Sequence, residues 1–354
     1  MRFIQSSLVL LSIIVLVVFY FIQENDMTKE GTIGNIDNIV EKRSQLELKE
    51  VPEVPSLVNG EVFQWIGKSQ EELVKALGEP VRKDQSAYEY EWWIYTDERT
   101  EYIQFGILNN EIITIYGTGD NLDSNPIQIG QAYGDVNDIF DFSNEVTYKE
   151  GIASYTFHLS EEDMIMRPLI KLKENMFLQV YFDTVTNKVS SIRVLTGDVL
   201  LRHRIYEIVY RGDLPAEPKL TDEEWEEVGL GMEKQVFTIT NIIRNRYEKA
   251  ALQWDNSVGE VAFLHSRDMA ENDYFSHFGL NGDGLKERLA AREVYYVAAG
   301  ENIAAQYTDA PAAIEGWLNS EGHREALLSD TYSHIGVGVY RLYYTQNFLA
   351  KTNE

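Results

Sequence analysis

The side chains best suited to chemistry lie within residues 255–354, which hold four of the six histidines of the chain. His277 closes the stretch HSRDMAENDYFSH, Glu301 lies in GENIA and His323 lies in SEGHR. Two neutral imidazoles and one carboxylate form a ligand set that can hold zinc and leave one position for water. The three residues are 24 and 22 positions apart, unlike the i, i+4 histidines of a helix-borne metal site, so their spacing alone does not define a site.

The other two histidines of this region have simpler explanations. His265 falls on the apolar stripe of a helix predicted over residues 257–272, and Asp268 lies one turn further on. A packed histidine that is hydrogen-bonded to a nearby acceptor explains this position. His334 begins the apolar segment HIGVGVYRL and is predicted to be structural.

A few predicted elements must position the three candidate residues. Apolar residues at helical spacing predict a helix in MEKQVFTITNIIRNRYEKAALQW, and a proline in the first turn marks another over residues 311–320. Two apolar strands, 334–342 and 345–351, close the chain. His277 lies where the 257–272 helix gives way to a loop, and loops on a rigid scaffold are where site residues concentrate.

Four ordered motifs in this region carry a resemblance to a known family. They are HSRDMAENDYFSH, GENIA, GWLNSEGHREALL and HIGVGVY. Together they resemble the bacterial branch of the CAP superfamily (cysteine-rich secretory proteins, antigen 5 and pathogenesis-related proteins), also called the SCP-like extracellular domain. The resemblance covers about residues 232–351 and implies an α-β-α sandwich with a central antiparallel sheet. It also implies a cleft with two histidines and two acidic residues, in which His277, Glu301 and His323 fill three positions.

The fourth position of this cleft departs from the family pattern. Counting from Trp317 places Ser320 there, and Glu321 is one residue further. A serine hydroxyl is a poor metal ligand and no general base, so the site is either a triad with a polar fourth wall or a tetrad completed by Glu321. The candidate ligand-binding cleft therefore comprises His277, Glu301, Asn302, Ser320, Glu321 and His323. Its metal ligands would be His277, Glu301 and His323, and the expected ion is zinc or another divalent cation.

The sequence before this region predicts a second folded domain with an internal repeat. Ser69 and Glu72 have capping-box spacing at the start of a helix, and the period-2 runs YEYEWWIY, EYIQFGIL and EIITIYG follow. IGKSQEELVKAL aligns without gaps with IGQAYGDVNDIF further along, which predicts two helix-plus-meander units at about 60–120 and 126–198. This region resembles the CAP-associated N-terminal domain of membrane-anchored proteins in the envelope of Gram-positive bacteria. The predicted fold class of the whole chain is α+β.

The N-terminus predicts attachment to a membrane. FIQSSLVLLSIIVLVVFYFI is 20 residues long, enough for a helix to cross the hydrocarbon core of a bilayer. Arg2 precedes it while Glu24 and Asp26 follow, so the bulk of the chain is predicted to lie outside the cytoplasm. Secretion after signal cleavage is the alternative. The predicted organisation is a signal anchor at 1–22, a linker at 23–59, the CAP-associated domain at 60–198, a connector at 199–231 and the CAP domain at 232–354.

The composition excludes several classes of function. The chain has 57 acidic and 31 basic residues, and its formal net charge of −26 repels phosphate backbones, so nucleic acid is excluded as a partner. The chain has no cysteine, which excludes disulfides, thiolate metal sites and cysteine nucleophiles.

Three functions remain open on the sequence. The favoured prediction is a non-enzymatic binding module anchored in the membrane, whose cleft holds a divalent ion or a lipid, peptide or glycan group. In the second, Glu301 is the general base of a metal-assisted hydrolase that acts on a peptide or cell-wall substrate. In the third, the chain is a structural platform for an envelope assembly. The sequence does not identify the ligand or a partner protein.

Overall fold

The computed structural model describes residues 62–351, all of which lie in one compact unit. The predicted signal anchor at 1–22 and the linker at 23–59 lie outside these residues. Between 62 and 351, no helix has the length and apolar character needed to cross a bilayer.

Helices and strands alternate irregularly along the described chain. After a short 3-10 helix at Val62–Gln64, the helices are α1 (Gln70–Leu77), α2 (Tyr133–Phe140), α3 (Glu161–Met166), α4 (Gly197–His203), α5 (Asp222–Arg246), α6 (Asn256–Glu271), α7 (Leu285–Ala291), α8 (Ala310–Leu318) and α9 (Glu321–Leu328). The strands are β1 (Arg82–Gln85), β2 (Glu91–Thr96), β3 (Glu101–Leu108), β4 (Glu111–Gly119), β5 (Glu145–Glu150), β6 (Ala153–His158), β7 (Leu169–Lys173), β8 (Met176–Asp183), β9 (Lys188–Leu195), β10 (Glu207–Arg211), β11 (Gln253–Trp254), β12 (Ala298–Ala305), β13 (His334–Tyr340) and β14 (Tyr343–Ala350).

The N-terminal domain is built on a seven-stranded antiparallel sheet with the order β1-β2-β3-β4-β9-β8-β7. Strands β4 and β9, the last strands of the two predicted helix-plus-meander units, lie side by side at its centre. The capping box predicted for Ser69 and Glu72 is present at the start of α1. A three-stranded sheet, β10-β6-β5, was not predicted from the sequence. Its strand β10 pairs with β6 from within the predicted connector.

The C-terminal domain is a three-layer sandwich around the sheet β11-β13-β14-β12. Helices α5 and α6 cover opposite faces, because Gln346 of β14 bonds to Thr240 of α5 while the neighbouring Thr345 bonds to Ser266 of α6. A Cβ atom on Gly338 would lie 1.9 Å from the backbone nitrogen of Phe263 in α6. The glycines in HIGVGVY therefore allow strand β13 to touch the helix backbone directly.

Helix α5 begins earlier than the sequence predicted. Its first residue is Asp222, inside the segment interpreted as connector, because Thr221 caps the helix and forms a capping box with Glu224. Acidic residues in the first turn interact favourably with the helix dipole. The acidic run DEEWEE is thus a helix start rather than a solvated linker.

The two domains share a buried interface that contains many polar groups. Arg193 of β9 forms a two-point ion pair with Asp309, which caps α8, at 2.8 Å for each contact. Ser190 and Ser191 of β9 both donate to Glu315 of α8. One apolar cluster also runs through both domains, and it includes Trp92 as well as Trp317. Because these groups are desolvated, the two domains are expected to move as one body.

His203, at the end of α4, makes this interface sensitive to acid. Its Nε2 atom lies 2.9 Å from the Tyr90 hydroxyl, and its Nδ1 atom lies 3.4 Å from Arg193. Burial, and secondly the charge of Arg193, lower the pKa of His203 from 6.5 to about 3. The unfolded chain therefore binds a proton between these pH values that the native chain does not. Stability conferred by neutral His203 is complete above pH 6.5 and is lost as the pH falls toward 3.

We expect the substitution His203→Gln to flatten the acid side of the stability profile. The slope of unfolding free energy against pH, measured by urea denaturation between about pH 4 and 6.5, should decrease by about one proton relative to the unsubstituted chain. The matched control, Thr118→Val, removes a hydrogen bond with Arg246 at the same interface but no titratable group, and should leave the slope unchanged. An unchanged slope in His203→Gln would contradict this assignment.

Candidate ligand-binding cleft

Glu301 lies at the centre of the candidate cleft, on strand β12, and only 5% of its side chain is exposed. Its Oε1 atom accepts a hydrogen bond of 2.9 Å from Nδ1 of His277, and its Oε2 atom accepts one of 2.5 Å from Arg288. A buried carboxylate needs compensating donors or cations. In this chain both oxygens already have them.

Arg288, on helix α7, connects the parts of the cleft. Besides its ion pair with Glu301, it donates to the backbone carbonyl of His277 at 3.1 Å and to Nδ1 of His265 at 2.9 Å. Sequence reasoning missed this residue, because one arginine in an amphipathic helix carries no distinguishing pattern. The available signal was indirect, since a carboxylate predicted to be buried requires a cationic partner.

His265 is buried and hydrogen-bonded, as the sequence predicted, although its partner is different. Its Nε2 atom donates to the carbonyl of Ser276 at 3.0 Å. Asp268, the expected acceptor, instead receives hydrogen bonds from Tyr274 and Asn272. Burial, followed by the charge of Arg288, lowers the pKa of His265. His265 is therefore a neutral residue that supports the loop carrying His277.

The second histidine of the cleft, His323, lies in the first turn of α9. Its Nδ1 atom is 2.8 Å from the hydroxyl oxygen of Ser320, while Glu321 is exposed. The structure thus brings Ser320, rather than Glu321, to the ring. Burial, and then the charge of His277, lower the pKa of His323.

Asn302, also predicted for the cleft, is fully buried behind it. Its amide nitrogen donates to the backbone carbonyl of His323 at 3.1 Å and to the side chain of Gln346 at 3.2 Å. Asn302 therefore ties the start of α9 to the central sheet. Because it follows Glu301 on the same strand, β12 supports both histidine neighbourhoods of the cleft.

Of the three metal ligands predicted from the sequence, Glu301 contacts Arg288 through its side chain and His277 contacts it through its backbone carbonyl. Within residues 62–351, no three histidine, aspartate or glutamate side chains converge as a metal site. A divalent ion would compete with the guanidinium for Glu301, since two cations within a few ångströms repel each other. Metal binding stays a prediction.

A cavity of about 490 Å³ lies against Arg288 and His265. It is large enough for a small-molecule ligand. The loop that contains His277 exposes apolar side chains, with Phe275 55% exposed, Phe278 62% and Leu280 70%. Leu280 also lines the cavity. Clustered exposed apolar side chains beside a cavity are typical of a binding surface.

The fold and the cleft together define a CAP protein. The profile of the cysteine-rich secretory protein (CAP) family matches residues 237–350, and that of the CAP-associated N-terminal domain matches residues 66–206. The chain belongs to this family. The resemblance inferred from the four motifs, and that of the preceding domain, are both confirmed.

Particular relatives share both domains. The chain is 45% identical over 293 residues to the uncharacterized membrane protein YlbC of Bacillus subtilis, covering 82% of this chain and 84% of that protein. It is similar to a crystal structure of an extracellular SCP-domain protein from Bacillus anthracis, with 40% identity, a TM-score of 0.79, and coverage of 86% of this chain and 99% of the other. It is also similar to a cysteine-rich secretory protein from Staphylococcus aureus, with 26% identity, a TM-score of 0.73, and coverage of 84% and 97%.

We expect the hydroxyl of Ser320, and not the carboxylate of Glu321, to set the tautomer of the His323 ring. Loss of the hydroxyl in Ser320→Ala removes a hydrogen bond of about 1 kcal/mol, equivalent to about a fivefold change in the tautomer ratio of the ring. The ¹⁵N chemical shifts of His323 should therefore change. They should stay the same in the matched variant Glu321→Gln, and the opposite pattern would show that Glu321 holds the ring.

Proposed function

We propose that this chain is a membrane-anchored CAP protein whose cleft binds a small amphipathic ligand without transforming it. The observation that carries the proposal is the double engagement of Glu301 by His277 and Arg288. A carboxylate whose two oxygens are occupied serves as an anchor for the cleft walls. It is poorly suited to take a proton from water.

The proposed location is the outer side of the cell membrane. The apolar segment at residues 3–22 supports a single-pass anchor, with a linker to residue 59 and the bulk of the chain outside the cytoplasm. The Bacillus subtilis relative is named as a membrane protein, and the relative from Bacillus anthracis is named as an extracellular protein. Secretion after signal cleavage is the alternative.

The chemistry of the ligand is suggested by the two sides of the site. His277 and His323 each use Nδ1 in the contacts described, and within residues 62–351 neither Nε2 atom has a hydrogen-bond partner. These atoms could bind a polar head group. Phe275, Phe278 and Leu280 offer apolar contact nearby. Since the net charge of −26 repels anions, we propose a neutral or zwitterionic amphiphile.

We expect His277→Ala and His323→Ala each to weaken binding of a zwitterionic lipid about tenfold, the effect of losing about 1.4 kcal/mol. The probe is water-soluble dihexanoylphosphatidylcholine, titrated into the full chain in nanodiscs, with histidine chemical shifts as the readout and empty nanodiscs as the blank. Leu280→Ser should also weaken binding, because Leu280 lines the cavity beside Arg288. Tyr295→Ser is the matched control, because Tyr295 is 87% exposed but does not line the cavity beside Arg288.

Other outcomes of the same titration would favour the alternatives. Binding of zinc that is lost in both histidine variants would support the metal prediction and would require Glu301 to exchange Arg288 for the ion. Metal-dependent cleavage of a peptide or cell-wall fragment that is lost in Glu301→Gln would support a hydrolase. If neither the lipid nor zinc binds, and cells that carry the histidine variants behave like cells with the unsubstituted chain, the structural platform is favoured.

A further inference from the structure

A turn of the N-terminal domain contacts the segment of the CAP domain that carries His323. We define the β8–β9 turn as residues 182–187 and the α8–α9 elbow as residues 319–324. The elbow contains both Ser320 and His323, the pair that forms one wall of the cleft. Each end of the elbow contacts the β8–β9 turn.

The first contact is made by Asn319, the residue before Ser320. Its side-chain oxygen accepts hydrogen bonds from the backbone nitrogen of Thr184 at 2.7 Å and from the Thr184 hydroxyl at 2.9 Å. Its amide nitrogen donates to the carbonyl of Phe182 at 2.9 Å. Three hydrogen bonds thus fix one side chain of the CAP domain to the N-terminal domain.

The second contact is made by Arg324, the residue after His323. Its guanidinium forms a two-point ion pair with Asp183, at 2.9 and 3.0 Å, and stacks 5.0 Å from the ring centre of Tyr247. Only 3% of the Asp183 side chain is exposed. Burial would raise the pKa of Asp183, but hydrogen bonds from Tyr247 and Arg324 hold it below its ordinary value. The pair is therefore charged and shielded from solvent.

Helix α9 depends on such external support. Ser320 stands at its N-cap position, but its side chain makes no capping hydrogen bond, because the hydroxyl contacts His323 instead. The helix has eight residues, fewer than an isolated helix needs in water. Without a side-chain cap, the position of its first turn must be set by neighbouring groups, of which Asn302 supplies one from the central sheet.

We infer that the N-terminal domain is part of the ligand-binding machinery, with Asp183 and Thr184 as positioning residues that set the Ser320–His323 wall of the cleft. As far as ligand affinity is concerned, this inference rests on the proposed function. The part of the inference that concerns geometry, the position of His323, does not depend on the proposed function. It assigns the CAP-associated domain a role at a cleft whose residues all belong to the other domain.

The test is the ¹⁵N chemical shifts of His323, measured by NMR at a fixed neutral pH in the full chain, labelled at histidine and held in nanodiscs. Asp183→Asn keeps one side-chain oxygen, which can still accept the hydrogen bonds that the backbone nitrogens of Val185 and Thr186 donate to Asp183. The asparagine has only one acceptor oxygen, so it cannot form the two-point pair with Arg324. We expect the ¹⁵N shifts of His323 to change as they do in Ser320→Ala, because the elbow no longer holds the Ser320 hydroxyl against the ring. Affinity for dihexanoylphosphatidylcholine should fall about tenfold.

Thr118→Val is the matched control, because Thr118 accepts a 2.7 Å hydrogen bond from Arg246 across the same domain interface but away from the elbow. It should lower the melting temperature and leave His323 unchanged. Thr184→Ala, a milder change, keeps the test decisive if Asp183→Asn fails to fold, and should move His323 in the same direction. Unaltered His323 shifts in a folded Asp183 or Thr184 variant, or an equal change in Thr118→Val, would overturn the inference. If the lipid does not bind the unsubstituted chain, the proposed function fails, while the His323 chemical shifts still decide the positioning role.

Discussion

The cleft depends on one buried ion pair, between Glu301 and Arg288. The carboxylate belongs to strand β12 of the central sheet. The guanidinium belongs to helix α7, which follows the loop that carries His277 along the chain. Each partner compensates the desolvated charge of the other, and removing either one would leave a buried charge without a partner. Because Arg288 also bonds to the His277 carbonyl and to His265, the loop geometry follows from this pair.

The other wall of the cleft depends on contacts between domains. Two side chains of the α8–α9 elbow are held by the β8–β9 turn, and the helix that follows lacks a side-chain cap of its own. The same interface contains the buried pair of Arg193 with Asp309. A polar interface of this kind stabilises the assembly only in the arrangement that satisfies every group, so it fixes the orientation of the domains.

Short-range patterns predicted much of this fold. The capping box at Ser69 and the strand predicted from EYIQFGIL, which is β3, depend on neighbouring residues. The four CAP motifs identified the family. The predictions failed where distant residues decide the outcome. The sheet of β5, β6 and β10 requires Phe157 to pair with the distant Ile208, and Arg288 and Asp183 act on the cleft through partners in other elements.

The most direct test of this account is a double-mutant cycle between Glu301 and Arg288. Unfolding free energies would be measured in urea for Glu301→Gln, Arg288→Met and the double variant. A pair that anchors the cleft should show a coupling of about 1 to 3 kcal/mol, with the double variant more stable than the sum of the single effects. Additivity to within about 0.5 kcal/mol would mean that Glu301 is free of Arg288 and available as a base or a metal ligand, which contradicts the account.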